Sequence, residues 1–185
     1  MPSLTPCLWF EDELDAAIAH YSAVFPSADI SSVQRPSPDA PALSATFVLA
    51  GQKFMALNGR RDGDFSDSVS FFLGCADQAE VDHYWENLAS GGGTELQCGW
   101  LRDRFGVTWQ VVPTALFDFM NGPDKAGAER AMKAILGMKR LVIAEIEAAY
   151  LGSEVPEEPA DQPVDRERSD AMSGPDAQID PDRTA

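Results

Sequence analysis

The chain has 185 residues, of which 44% are hydrophobic, and this is enough for one domain with a core of its own. Its formal net charge of −16 would repel nucleic-acid phosphates and anionic lipids, so neither is expected as a partner. There is no run of about 18 apolar residues and no secretory signal, which predicts a cytoplasmic protein without a membrane span. The three cysteines, Cys7, Cys75 and Cys98, lack the spacing of a disulfide framework or a zinc knuckle.

The first part of the chain has the pattern of a strand, a helix and three further strands. "LTPCLWF" has strand character, and the helix "DELDAAIAHYSAVF" carries its apolar residues on one face: Leu14, Ile18, Tyr21 and Phe25. The runs "ADISSVQR", "ALSATFVLA" and "QKFMALNG" follow as strands with turn residues between them. This βαβββ unit covers residues 4–59. The linker "RRDGDFSD", with Arg60 and Arg61, comes after it and is interpreted as solvated.

A second unit with the same order covers residues 68–112. It opens with the strand "SVSFFLGC", and its helix begins at Asp77, with Glu80 three residues later as in a capping box. The strands "TELQ", "CGWLRD" and "GVTWQVVP" follow, the last two joined by a turn at Asp103 to Gly106. The sequence thus predicts an α+β domain over 1–112, in which tandem βαβββ modules form a curved mixed sheet with a cleft.

Two segments follow this domain. Residues 113–152 have the apolar spacing of helices and are expected to pack on the domain, with a dimer contact as the alternative. Residues 153–185 are rich in Pro and acidic side chains, and almost nothing there can be buried to offset the entropy of ordering. They are predicted to be a disordered acidic tail.

The alternation of residues along each strand separates two faces. We expect an apolar face under the helices, which includes Met55 and Leu57, and a mixed polar and aromatic face that forms pocket walls. A partly exposed sheet face without a ligand is the structural alternative. The predicted ligand-binding residues are those of the mixed face: Cys7, Trp9, Asn58, Ser70, Phe72, Cys98, Trp100 and Gln110.

The tandem repeat, the helix motif "AHYSAVFP" and the hairpin "D-x-F-G-x-x-W-Q" resemble the vicinal oxygen chelate superfamily. "TPCLWF", "GQKFMALNG", "DQAEVDHYWENL" and "CGWLRDRFGVTWQVVP" resemble its PhnB-like branch, often labelled demethylubiquinone methyltransferase-like. The resemblance covers about residues 4–151 and implies a glyoxalase-like fold. Superfamily members include glyoxalases, extradiol dioxygenases, fosfomycin-resistance proteins and bleomycin-binding proteins, so the fold alone does not imply one activity.

In metal-using relatives, the resemblance implies one ligand on the first and one on the last strand of each module. Those positions correspond here to Thr5 or Pro6, Ala56, Ser70 and Gln110. Only Gln110 is a plausible ligand, whereas such metals prefer several carboxylate or imidazole donors. His20 and His83 lie in the predicted helices and are assigned packing or surface roles. We therefore expect no metal site.

The sequence also lacks a Gly-rich strand-to-helix loop followed by an acidic residue, so the methyltransferase label and a nucleotide cofactor find no support. The expected function is cofactor-free binding of a small, partly aromatic or hydrophobic molecule by a homodimer, similar to the bleomycin-binding relatives. A metal-dependent lyase or isomerase and a protein-docking module are the alternatives.

Cys7 and Cys98 have no activating neighbour in sequence, and Asp103 with Arg102 or Arg104 is interpreted as an exposed salt bridge or Asx-type turn. Whether any reaction is catalysed stays open.

Overall fold

Strands and helices follow one another in two successive βαβββ modules, as the sequence predicts. The computed structural model describes residues 2–59 and 63–153. The first module consists of β1 (Cys7–Phe10), α1 (Leu14–Val24), β2 (Asp29–Gln34), β3 (Ser44–Leu49) and β4 (Gln52–Asn58). The second module consists of β5 (Phe71–Cys75), α2 (Gln78–Ala89), β6 (Thr94–Glu95), β7 (Trp100–Arg102) and β8 (Thr108–Pro113). The helices α3 (Ala115–Asn121), α4 (Lys125–Gly137) and α5 (Ile143–Leu151) come after them.

Each module forms a four-stranded mixed sheet. The strand orders are β1-β4-β3-β2 and β5-β8-β7-β6, with the first strand of each module parallel to the last. In the second module the predicted pair Asp77 and Glu80 caps the start of α2, with Glu80 bonding the amide one residue before the N-cap Asp77. Asp77 Oδ1 accepts a hydrogen bond of 2.9 Å from the Glu80 amide, and Glu80 Oε2 accepts one of 2.7 Å from the Ala76 amide.

Each sheet has a covered face, packed under α1 or α2, and an open face on the other side. In β4 the predicted faces are wrong. Met55 and Leu57 are 43% and 36% exposed, while Phe54 and Ala56 are 2% and 0% exposed. The register with β1 explains the difference, because Trp9 lies opposite Leu57 and the buried Leu8 lies opposite Ala56.

The two modules meet through their covered faces and share one core. The Phe54 and Phe71 rings, one from each sheet, lie 5.0 Å apart in an edge-to-face arrangement. Tyr21 of α1 packs on Trp109 of β8 with 5.9 Å between ring centroids. The two modules are therefore joined by covered-face aromatic contacts and not by their open faces.

The helices α3 to α5 pack on the second module around a separate apolar cluster, formed by Val112, Ala131, Ile135, Leu141 and Ile146. The amides of Cys98 and Gly99 donate hydrogen bonds of 2.8 Å to the carbonyls of Met138 and Lys139. Val112 follows Gln110 on the open face of β8, so the helices cover one end of that face. No helix within residues 2–59 and 63–153 has the length and apolar character needed to cross a membrane. Apart from Ser153, the predicted acidic tail lies outside the described residues.

Candidate functional site

A cavity of about 520 Å³ lies where the first strands of the two modules come together. The first module contributes Cys7, Leu8 and Trp9 to its wall, and the second contributes Phe71, Val107 and Thr108. Pro6, Val69 and residues 63–66 of the segment between the modules complete the wall. A volume of this size and a mainly apolar wall are typical of pockets for small organic molecules.

Trp9 offers the cavity an aromatic surface whose orientation is fixed. Its Nε1 group donates a hydrogen bond of 3.0 Å to the Gly59 carbonyl, and 48% of the residue is exposed. The indole is therefore anchored at its polar edge while much of the ring is free to contact a ligand. Cys7 lies on the same open face two residues earlier, and these two of the predicted site residues line the cavity.

Asp67 anchors the 63–69 segment to the second sheet. Its two carboxylate oxygens accept hydrogen bonds of 2.7 and 2.6 Å from Arg102 Nη2, and Oδ1 accepts one of 3.2 Å from the Thr108 hydroxyl. Arg102 and Thr108 are paired across β7 and β8, so both reach the same carboxylate. The Arg102 hydrogen bond lowers the pKa of Asp67 below its usual value. Arg102 therefore pairs with Asp67 of the linker and not with Asp103, the acid that the sequence analysis considered as its partner.

A second, more polar cavity of about 310 Å³ lies on the other side of this segment. Asp67, Arg102, Phe105 and Gly106 border it, and Asp64 and Phe65 border both cavities. The Phe65 ring packs edge-on against Phe10, with 5.7 Å between centroids. Residues 64–67 thus form the partition between an apolar cavity and a polar one.

Four of the predicted site residues lie together on the open face of the second sheet. Gln110 pairs with Phe72 on β5 and with Trp100 on β7, so the three side chains share one face. Gln110 Nε2 donates a hydrogen bond of 2.8 Å to the Ser70 hydroxyl. Phe72 also contacts Phe117 of α3, with 6.0 Å between ring centroids. The open face therefore combines a hydrogen-bonded polar pair with exposed aromatic rings.

Asn58 and Cys98 are not part of either group. Asn58 lies on the covered side of β4, where its Oδ1 accepts a hydrogen bond of 3.3 Å from the Leu14 amide at the start of α1. Cys98 precedes β7 in a left-handed conformation, with φ of 61°, and packs beside the α3 to α5 cluster. Asn58 does lie opposite Met55 and Leu57, as the alternation of β4 predicts, but that side of β4 is the covered one. Cys98 precedes β7 and so falls outside the alternation of that strand.

Asp103 is a buried carboxylate, only 3% exposed, at the turn between β7 and β8. Its Oδ1 accepts hydrogen bonds of 2.9 and 3.0 Å from the Phe105 and Val107 amides, which makes the Asx-type turn that the sequence indicates. Its Oδ2 accepts bonds from the side chains of Tyr21 and Trp109. Burial raises the pKa of Asp103, although these hydrogen bonds act in the opposite direction.

The two histidines have packing roles, as predicted. His83 Nε2 lies 2.8 Å from the Val24 carbonyl and ties α2 to the end of α1. The His20 ring packs against Phe105, with 5.6 Å between centroids, and burial lowers its pKa. Burial also raises the pKa of the Cys75 thiol to about 12, which disfavours a thiolate there.

The positions that metal-using relatives would employ carry a poor donor set. Ala56 is buried on the covered face, and its neighbours on the open face are Met55 and Leu57. Ser70 and Gln110 are hydrogen-bonded to each other. Within residues 2–59 and 63–153, no group of three or more His, Cys, Asp or Glu side chains could hold a metal ion. These side chains do not fit a zinc, nickel or iron centre, which needs carboxylate or imidazole ligands.

Comparisons with known proteins agree with this architecture. Residues 2–112 match the model of the family described as 3-demethylubiquinone-9 3-methyltransferase. A PhnB protein from Bacillus cereus, described as a putative 3-demethylubiquinone-9 3-methyltransferase, is 27% identical over 61% of this chain and 100% of that chain, with a TM-score of 0.56. Protein PA1353 from Pseudomonas aeruginosa is 20% identical over 61% of this chain and 98% of that chain, with a TM-score of 0.52, which shows the fold alone. No curated protein sequence matches significantly.

The family match covers both βαβββ modules and more than half of the chain, and it ends just before α3. The description of the family refers to a methyltransferase, but a shared fold does not transfer an activity. By its two modules and its family match, the chain belongs to the 3-demethylubiquinone-9 3-methyltransferase-like, PhnB-like family of the vicinal oxygen chelate superfamily.

Proposed function

We propose that this chain binds a small, mainly apolar molecule with an aromatic part in the 520 Å³ cavity between the modules, without a metal ion. The cavity is the observation that carries the proposal. Leu8, Trp9, Phe71 and Val107 offer apolar surface, and the hydroxyl of Thr108 offers a polar contact. Burial of apolar ligand surface would supply most of the affinity, at about 25 cal/mol per Å² before the costs of association are subtracted.

The side chains found where metal ligands would be needed support a metal-free site. A lyase or isomerase of the metal-dependent type would need carboxylate or imidazole ligands on the open faces, where Met55, Leu57, Ser70 and Gln110 are found instead. Methyl transfer with a nucleotide-type cofactor would need a phosphate-binding loop between a strand and a helix. The β5–α2 connection has Ala76 and Asp77 at that place, and the Asp77 carboxylate itself caps the helix. Binding therefore accounts for the residues better than either reaction.

We also propose that two copies of the chain associate through their open faces in the cytoplasm. Trp9 and Met55 on the first sheet and Phe72 on the second are each about half exposed. Clusters of exposed apolar side chains on a sheet mark interaction surfaces. A second copy that covered them would also bring Cys7 and Trp9 of one chain towards the Ser70–Gln110 pair of the other, and so unite predicted site residues that lie apart within one chain.

The test uses N-phenyl-1-naphthylamine, an uncharged aromatic probe whose fluorescence rises in apolar surroundings. Titration of the chain, purified without chelator, should give saturable binding that EDTA does not change. Trp9→Ala should weaken binding about tenfold, since a large aromatic contact is lost. Leu136→Ala is the control, because Leu136 is an exposed apolar residue of α4 that does not line the cavity.

Equal binding by the Trp9→Ala and Leu136→Ala variants would contradict the proposed site. Stoichiometric zinc, nickel or iron in the purified chain, with probe binding or activity lost on its removal, would favour the metal-dependent alternative. Analytical ultracentrifugation tests the association of two copies. A monomer at all concentrations would contradict that part of the proposal, and a complex with another protein through α3 to α5 would favour the docking alternative.

A further inference from the structure

The ion pair between Asp67 and Arg102 borders the polar cavity and is hydrogen-bonded to a residue of the apolar cavity wall. The Thr108 hydroxyl, part of the apolar cavity wall, is 3.2 Å from Asp67 Oδ1, and the same oxygen is 2.7 Å from Arg102 Nη2. Asp67 and Arg102 both border the polar cavity. A carboxylate therefore already occupies the point at which a molecule in the apolar cavity would meet a guanidinium group.

Arg102 has hydrogen-bond donors that Asp67 does not use and that could bind an anion. Both hydrogen bonds to Asp67 come from Nη2, and Nη1 and Nε donate to no other residue that the structure describes. Of the described residues that line either cavity, Arg102 is the only one with a basic side chain. A guanidinium presents a planar fork of donors that matches carboxylates and similar anions.

The ion pair that holds the Asp67 segment is weak enough for another anion to replace the Asp67 carboxylate. The side chains of Arg102 and Asp67 are 38% and 62% exposed, and an ion pair exposed to water contributes little to stability. Replacement of the Asp67 carboxylate by another anion would keep the Arg102 and Thr108 hydrogen bonds. Such an exchange would also remove part of the partition formed by residues 64–67.

We propose that Arg102 is the receptor for the anionic group of an amphiphilic monoanion, and that Asp67 fills this place when no ligand is bound. This inference rests on the proposed function, because the apolar body of the ligand would occupy the 520 Å³ cavity. The ligand class is thereby narrowed to an aromatic or apolar body with one carboxylate or equivalent anionic group, whose charge lies beside Thr108 and Arg102.

The test compares two probes with the same ring skeleton. N-phenyl-1-naphthylamine is uncharged, and 8-anilino-1-naphthalenesulfonate adds one sulfonate. Asp67→Asn removes the competing carboxylate and should tighten sulfonate binding about tenfold, the effect of one charge-assisted hydrogen bond, while binding of the uncharged probe changes less than about twofold. Arg102→Gln should weaken only the sulfonate probe, and Arg102→Lys should retain part of its affinity.

Asp15→Asn is the matched control, since Asp15 also pairs with an arginine, Arg35, and its replacement changes the net charge equally. It should leave the affinity of both probes unchanged. Equal tightening by Asp67→Asn and Asp15→Asn, or unchanged sulfonate binding in folded Arg102→Gln, would overturn the inference while the proposed function stands. Failure of the unmodified chain to bind either probe would overturn both. Thermal melting of each variant establishes that it is folded.

Discussion

The Tyr21 hydroxyl donates a hydrogen bond of 2.7 Å to Asp103 Oδ2 and so joins two residues that are 82 positions apart. Trp109 Nε1 donates a second bond, of 3.0 Å, to the same oxygen. Because Tyr21 belongs to α1 and Asp103 to the β7–β8 turn, a single carboxylate connects the first module to the hairpin of the second. The contact lies inside the core that the covered faces share.

Tyr21→Phe should destabilise the chain by about 1–3 kcal/mol, because it removes one donor from a buried carboxylate and leaves the ring contacts intact. Urea unfolding measures the change. Tyr84→Phe is the control, since the Tyr84 hydroxyl has no hydrogen bond to another described residue, and it should change stability by less than about 0.5 kcal/mol. Equal effects of the two substitutions would show that the Tyr21–Asp103 bond contributes nothing measurable.

Acidification should make the unmodified chain more stable relative to the Asp103→Asn variant. Burial raises the pKa of Asp103 above its ordinary value of 3.8, so the native chain binds this proton more strongly than the unfolded chain. The resulting stabilisation is fully present below the ordinary pKa and is lost as the pH rises through the native pKa. Asn cannot titrate. Urea unfolding of both proteins from about pH 7 to about pH 4 measures the difference, and a decrease on acidification would mean that the hydrogen bonds outweigh burial.

Local signals in the sequence predict the order of elements well. The helix cap at Asp77 and Glu80 and the Asx-type turn at Asp103 depend on residues within four positions of each other, and both occur in the structure. The Tyr21–Asp103 bond could not be predicted in this way, because its partners become neighbours only when the modules pack. The same holds for Asp67 and Arg102, which are 35 positions apart.

The candidate site is predicted in part, for reasons that particular residues make clear. In β8 polar and apolar residues alternate, so Gln110 can be assigned to one face from the sequence, and Ser70 and Phe72 do lie beside it. In β4 both faces are apolar, so alternation cannot separate Met55 from Phe54. Only the parallel register with β1, which the sequence does not encode locally, decides between them.

Asn58→Ala should affect stability and leave ligand binding unchanged. Asn58 accepts a hydrogen bond from the first amide of α1, so its loss should cost about 1 kcal/mol, as for other residues that cap helices. Asp77→Ala, which removes the cap of α2, is the comparison variant and should lower the free energy of unfolding by a similar amount. Urea unfolding and titration with N-phenyl-1-naphthylamine measure the two effects separately. Weaker probe binding by folded Asn58→Ala would restore the role that the sequence suggested.

Gly99→Ala should loosen α3 to α5 from the second module. Gly99 has φ of 79°, and a Cβ atom there would lie 2.8 Å from the Val111 carbonyl oxygen and 3.0 Å from Leu141 Cδ1. We expect a loss of about 1–3 kcal/mol in the free energy of unfolding and faster hydrogen exchange around Leu141. Gly137→Ala, at a helical position with open space around it, should be neutral or slightly stabilising. Equal stability of the two variants would contradict this packing account.

The most direct test of a metal-free site between the modules is a crystal structure of the chain with N-phenyl-1-naphthylamine. We expect electron density for the aromatic rings against Trp9, Phe71 and Val107, with no metal ion beside them. Density for a transition metal bound at Ser70 and Gln110, or for the probe on α3 to α5 with the cavity empty, would contradict it.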